Sequence, residues 1–173
     1  PFDEARTRDM LQTIHRQSVW LSEMVNELLD LARIEARRGQ DFVLAVHDLR
    51  RVILDGVSAL MVPGDAREVR CVLPERLPPV RLDVDKFQHV LGNVLSNAYK
   101  YSPGGGEIRL DIRERSFKGR PQVGVRVTDH GIGMLPEHVA RAFERFFRAD
   151  PSGNIPGSGL GLSLCKEILE LLG

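Results

Sequence analysis

The chain has 173 residues, 42% of them hydrophobic and 28% charged, enough for one compact domain and an appendage. Basic and acidic residues number 24 each, so the formal net charge is zero: nothing marks a nucleic-acid binder, and no basic run marks a membrane-surface patch. No apolar run approaches the ~18 residues of a membrane span, and Cys71 and Cys165 lack metal-type or redox-type spacing and fit a reducing compartment. No signal peptide opens the chain, and it begins on Pro1 rather than methionine, which reads as a piece of a longer protein.

Residues 3–38 read as one long helix. Leu11, Ile14, Ser18, Leu21, Val25, Leu28 and Ala32 recur three and four apart, and Met10, Met24 and Leu31 flank them. That is a heptad seam, broad enough for a helical hairpin or bundle. With no partner for it elsewhere in the chain, self-association is expected; folding back onto the following domain is the alternative. His15 has no carboxylate beside it to orient its ring and reads as a solvated residue. Gly39, after Arg37 and Arg38, is the stop.

A strand is expected over Phe42–Val46, then a helix over Asp48–Leu60 with Leu49, Val52, Ile53, Val57 and Leu60 inward. Pro63-Gly64-Asp65 reads as a turn, Val69–Leu73 and Val80–Leu82 as strands, and the proline-studded 74–79 as a connector. Asp83 or Asp85 can cap the next helix. Val90, Leu91, Val94, Leu95 and Ala98 give that helix an apolar face, and Pro103-Gly104-Gly105-Gly106 ends it. Ile108, Leu110 and Ile112, then Val123, Val125 and Val127, alternate as two strands of a hairpin whose loop is expected at 116–121. A helix follows within Pro136–Phe147, a Pro/Gly-rich polar segment over Ala149–Ser158, and an apolar helix to Leu172. The fold class expected is α+β: a two-layer α/β sandwich with a mixed, mostly antiparallel sheet, helices on one face and the long N-terminal helix outside it.

Three stretches carry chemistry. Asn93, Asn97 and Lys100 stack at i, i+4 and i+7 on one helix face. Two amides and an ammonium suit a magnesium polyphosphate, since Mg²⁺ takes a few oxygen ligands from protein and lysine offers a point charge to phosphate. Asp129-His130-Gly131-Ile132-Gly133 sits at a strand end. Its carboxylate only accepts hydrogen bonds and so can receive an exocyclic amine, while the glycines allow a sharp turn or close approach to a flat ring. Gly157, Gly159 and Gly161 open a helix, where bare amides can cradle phosphate. Each has a bland reading as a polar face or a glycine turn. Neither the dinucleotide fingerprint nor a Gly-Lys-Ser/Thr phosphate loop is present.

Taken in order, and with the aromatic run Phe143–Arg148 between the last two, these stretches resemble the ATP-binding domain of sensor histidine kinases. Asn93–Ser102 is similar to that family's asparagine box, Asp129–Gly133 to its first glycine box, Phe143–Arg148 to its phenylalanine box and Gly157–Gly161 to its second glycine box. The likeness covers nearly all of residues 40–172, and Glu27–Glu35 is similar to the end of the second helix of the family's dimerisation hairpin. The domains so implied are 1–39, an incomplete hairpin, and 40–173, an ATP-binding catalytic domain lacking the family's last strand.

The resemblance also implies roles. Asn97 would ligate Mg²⁺ with Asn93 beside it, on the metal or phosphates. Lys100 would contact phosphate, and Tyr101 would pack on the nucleotide. Asp129 would take the adenine amine, with Gly131 and Gly133 admitting the base. Arg148 would reach the γ-phosphate, and Gly157, Gly159, Leu160 and Gly161 would close over the phosphates under a lid at Ala149–Ser158. ATP and Mg²⁺ are the implied ligands, with phosphoryl transfer to a histidine and onward to a response-regulator aspartate. A homodimer through the N-terminal helix is implied in the intact protein. So is a cytoplasmic location in an inner-membrane protein, anchored only through segments preceding this chain. In related hydrolases a glutamate precedes the metal asparagine by one turn; here Asn93 stands there, and an amide cannot take a proton at neutral pH. A module without kinase activity, or a hydrolase, are the alternatives. The acceptor histidine's helix is missing: His47-Asp48-Leu49-Arg50 matches the start of its motif, but Val52 stands where proline belongs, and His47 falls at a strand–helix junction. Autophosphorylation of this chain alone is therefore not expected.

Overall fold

The computed structural model describes residues 3–60, 67–117, 119–150, 155 and 157–173; the turn expected at Pro63-Gly64-Asp65 lies outside them. Helix α1 (Glu4–Arg37) comes first, followed by β1 (Ala45–His47), α2 (Leu49–Ala59), β2 (Val69–Val72), β3 (Val80–Leu82) and α3 (Val84–Lys100). The hairpin β4 (Ile108–Phe117) and β5 (Arg120–Thr128), the short α4 (Pro136–Arg141) and α5 (Gly161–Leu172) complete the order. The main sheet runs β2-β4-β5, with β2 parallel to β4 and β4 antiparallel to β5, and β1 pairs antiparallel with β3 in a separate ribbon.

Alternation along the strands builds the two layers. Ile108 and Leu110 are fully buried and, with Ile112, Val123, Val125 and Val127, meet Leu49, Ile53, Leu91, Leu95 and Tyr99 from α2 and α3. A second cluster joins Val90 and Val94 of α3 to Leu160, Leu164, Cys165 and Ile168 at α5. Helix α3 is therefore gripped on two sides, by the sheet and by α5, which fixes the rotation of its remaining face. Asp83 caps it: Oδ1 accepts from Lys86 N at 3.0 Å.

Three expectations are corrected. The first strand forms over Ala45–His47, not Phe42–Val46. Phe42 instead lies under Lys86, whose Nζ is 5.7 Å from its ring centroid, and the neighbouring Val43 N–H donates to Asp83 Oδ2 at 2.7 Å. The hairpin pairs as far as Phe117↔Arg120, so the connection is tighter than the expected 116–121, and Gly119 at φ 73° meets the demand of a tight turn. Helix α1 does have a partner in the chain: Leu31 and Ile34, 1% and 2% exposed, pack with Met24 onto the α5 cluster. Its other apolar residues, Met10, Leu11, Ile14, Leu21, Val25 and Leu28 among them, stay exposed.

The outer sheet face is polar. Asp111, buried on β4, takes Arg126 Nε and Nη2 at 3.0 and 2.8 Å and Arg113 Nε at 3.2 Å. The hydrogen bond from Arg126 holds its carboxyl below the usual 3.8, against the opposing pull of desolvation. A carboxyl depressed in the folded state stabilises above its unfolded value and loses that contribution as pH falls through the folded one. Asp111→Asn should therefore lower the melting temperature at pH 7, with the gap to the parent protein narrowing below about pH 4 and closing beneath the depressed value. Thermal melts of both proteins across pH 2–7 check this.

Candidate functional site

Helix α3 ends at a junction of two segments far apart in sequence. Tyr101 caps it, donating its N–H to Asn97 O at 2.9 Å, and Tyr101 O accepts from Ile132 N at 2.9 Å. Ser102, 1% exposed, donates from Oγ to Asp129 Oδ1 at 3.4 Å, and Gly131 N donates to the same oxygen at 2.9 Å. Among the described residues Asp129 Oδ2 takes no hydrogen bond, and the residue is exposed. One carboxylate oxygen is thus held and the other presented.

Gly131 is needed there for space. A Cβ at that position would stand 2.3 Å from Tyr101 O, 2.8 Å from Asp129 Oδ1 and 2.9 Å from Ser102 Oγ. Gly133, at φ 67° with open space around it, is required for backbone conformation instead.

The phosphate-type stretches also converge. A Cβ on Gly161 would lie 3.4 Å from Asn93 Oδ1, so the start of α5 faces the asparagine row. Asn93 Nδ2 is buried with no hydrogen-bond partner. Burial pushes the adjacent Cys165 thiol up to about 11. The neighbouring Asn93 side chain pulls in the opposite direction. Gly159, at φ 76°, receives the phenylalanine run: Phe146 N donates to Gly159 O at 2.9 Å, and a Cβ on Gly159 would meet the Phe146 backbone at 2.7 Å. Asn97 is half-buried in the row and Lys100 exposed in the last turn of α3. Leu160 is fully buried in the α5 cluster, so only its backbone is free to face a ligand, and its N–H donates to Ser158 Oγ at 3.1 Å. Arg148 Nη2 donates to Ile155 O at 2.6 Å. Of the expected lid Ala149–Ser158, residues 151–154 and 156 lie outside the described ones. Two grooves of about 390 and 450 Å³ open elsewhere, one on the outer sheet face and one beside His47.

The family model for histidine kinase-, DNA gyrase B- and HSP90-like ATPases matches residues 82–173. The chain belongs to this ATPase family. Among its relatives, the alginate biosynthesis sensor protein KinB of Pseudomonas aeruginosa is 33% identical over 172 residues, 98% of this chain and 28% of its own length. The sensor-like histidine kinase SenX3 of Mycobacterium tuberculosis is 32% identical over 170 residues, 96% of this chain and 40% of its own. The crystal structure of full-length ShkA in complex with AMPPNP superposes at a TM-score of 0.75 and 26% identity, over 95% of this chain and 34% of that one. The Acinetobacter baumannii histidine kinase AdeS, at 22% identity and a TM-score of 0.64 over 99% of this chain and 75% of that one, shares the fold. This chain spans less than half the length of KinB and SenX3.

In this ATPase domain the sequence pattern missed several participants. Ser102 closes the asparagine stretch and touches Asp129 directly. Glu27 and Glu35 of α1 meet Ser158 and Arg145, tying the N-terminal helix to the second glycine stretch and the phenylalanine run. No spacing rule links residues more than a hundred positions apart. The two histidines behave as expected: His15 is exposed on α1, and His47 ends β1 opposite Val80 while Asp48 caps α2, its Oδ1 accepting from Arg50 N at 2.9 Å. No helix among the described residues is long and apolar enough to cross a membrane.

Proposed function

We propose that residues 40–173 are the nucleotide-binding catalytic domain of a sensor histidine kinase, transferring the γ-phosphoryl of ATP to a histidine on another helix, with a response-regulator aspartate as the onward acceptor. The observation that carries this reading is the convergence at Asp129: one oxygen fixed by Ser102 and Gly131, the other open to accept the adenine amine. Tyr101 packs on the nucleotide, Gly131 and Gly133 admit the base, and Gly157, Gly159 and Gly161 offer backbone amides to phosphate, in a turn that Leu160 anchors through its buried side chain and its N–H bond to Ser158 Oγ. Lys100 and Arg148 supply charge to the phosphates.

A magnesium ion fits the donors present. Among the described residues no three His, Cys, Asp or Glu side chains gather into a metal cluster, so protein ligands here would be amide oxygens. Asn97 Oδ1 would hold it, beside Asn93, whose orphaned buried Nδ2 suits a phosphate oxygen as its acceptor. When bound, the cation neutralises phosphate charge as it moves in transfer. Asn93 also supports a kinase over a hydrolase, because it cannot serve as a general base towards water. The exposed stripe of α1 supports pairing with a second copy in the intact protein.

Calorimetric titration of the protein with ATP, with Mg²⁺ and with EDTA, tests the reading. Binding is expected in both, tighter with Mg²⁺; a folded sample that binds in neither overturns it.

A further inference from the structure

Arg67 precedes β2 and lies outside every motif of the site, yet its guanidinium reaches the end of α3. Nη1 donates to Ser102 O at 3.0 Å and Nη2 to Tyr99 O at 3.3 Å. The guanidinium carbon is 5.0 Å from the centroid of the Tyr99 ring, and Tyr99 Oη returns a hydrogen bond to Arg67 O at 2.8 Å. Two side chains and two stretches of backbone are locked together, with Tyr99 8% exposed and Ser102 1% exposed.

We infer that Arg67 is a positioning residue for purine recognition: it holds Ser102 so that the Ser102 hydroxyl fixes one Asp129 oxygen and aims the other at the base. This rests on the reading of Asp129 as the acceptor of the adenine amine. The physical ground is what the end of a helix needs. The last carbonyls of a helix lack the regular partner of a next turn, and they carry the negative end of the helix dipole. A planar, permanently charged fork meets one of them, Tyr99 O, which Ser102 N reaches only at 3.4 Å, together with the Ser102 carbonyl just past the cap. Gly105 N adds a bond to Ser102 O at 3.0 Å, so that carbonyl is held from two directions. With the Ser102 backbone fixed, its hydroxyl has one site to serve, 3.4 Å away on Asp129. The same junction carries Tyr101 O to Ile132 N, so the turn bearing Asp129 is tied to α3 twice. Loosening Arg67 frees the helix end and spreads the direction in which Asp129 points. The polyphosphate side, built from Asn93 and the start of α5, rests on the other core cluster and is not touched.

That separation makes the test a ratio. Dissociation constants for Mg·ATP and Mg·GTP are measured for the parent protein and for Arg67→Met, Arg67→Lys, Ser102→Ala and Asp129→Asn, with melting temperature recorded alongside. A carboxylate accepts from the adenine amine and repels the guanine carbonyl oxygen, so the parent protein prefers ATP. Arg67→Met is expected to weaken ATP about 10-fold, the scale of a lost hydrogen bond to a charged group, while GTP changes less than about 2-fold. Arg67→Lys keeps the charge and recovers part of the ATP preference, and Ser102→Ala, which leaves the guanidinium bonds intact, loses it as Arg67→Met does. A general loss of fold would weaken both nucleotides alike. Equal changes for ATP and GTP in Arg67→Met, or an unaltered ratio in Ser102→Ala, overturn the inference; should Arg67→Met not fold, Ser102→Ala and Arg67→Lys decide it. If Asp129→Asn loses ATP preference and Arg67→Met keeps it, only the role of Arg67 falls. If Asp129→Asn leaves the ratio unchanged, the adenine reading falls and takes this inference with it.

Discussion

Gly131→Ala removes ATP binding from a protein that still folds. The methyl group would enter a space already held by three oxygens, the nearest being Tyr101 O at 2.3 Å. That carbonyl cannot swing away cheaply, because it accepts from Ile132 N at 2.9 Å and sits at the capped end of α3. The turn must move, and with it the Gly131 N–H that fixes Asp129 Oδ1. Overpacking of this kind costs about 1–3 kcal/mol of stability, which a domain with two well-filled core clusters can carry. For ATP the loss is larger, since Asp129 no longer points where its free oxygen was aimed, and a weakening of at least ~100-fold is expected from a lost charged hydrogen bond and a displaced wall. Gly92→Ala is the matched control. It lies within α3 with nothing within 4 Å of its would-be Cβ, so helix propensity alone predicts a gain of about 0.5–1 kcal/mol and unchanged ATP affinity. Nucleotide titration and thermal melts of the two variants separate steric blockage from a general intolerance of substitution. An ATP affinity in Gly131→Ala within twofold of the parent would falsify the placement of the base at this turn.

The elements with strong periodicity were readable because one physical effect dominates each. Valines alternating from 123 to 127 can face only one way on a half-buried strand, and α3 carries apolar residues on both sides that pack on something. What escaped depended on competition between distant groups. Phe42 and Val43 have good strand propensity, yet Lys86 and Asp83 claim them, and neither claim leaves a trace within five residues of Phe42. The seat of α1 is similar. A heptad seam tells that a helix wants cover, and Leu31 sits in a stripe expected to want it, but which stripe meets α5 and which stays exposed is decided by Leu164 and Ile168. At the site, residue types and order were legible as a chemistry of amides, glycines and one carboxylate. The supports were not: Ser102 and Arg67 act through backbone carbonyls, which any sequence supplies, so nothing in their identity announces the role.

Asn97→Ala is expected to separate the two halves of the site. Its position on α3, one turn after Asn93 and one turn before the Tyr101 cap whose N–H donates to Asn97 O, places it between the buried amide facing Gly161 and the junction at Asp129. If its side-chain oxygen is the protein's ligand to magnesium, removing it should erase the difference between ATP affinity measured with Mg²⁺ and with EDTA, while leaving the EDTA value near that of the parent. If the protein is a kinase as proposed, its phosphoryl transfer should fall about 10²–10³-fold, the scale seen when one preorganised electrostatic contact to a transition state is lost. Stability should move the opposite way: alanine is the better helix former by roughly 0.5 kcal/mol, and Asn97 is only half-buried, so the melting temperature holds or rises. Asn93→Ala should give a different pattern if its orphaned buried Nδ2 serves a phosphate oxygen, as proposed: affinity should drop with and without the metal. A variant that is more stable, binds ATP and ignores magnesium can be explained only by a lost metal ligand, whereas an Asn97→Ala protein with an undiminished magnesium effect places the ion on other oxygens.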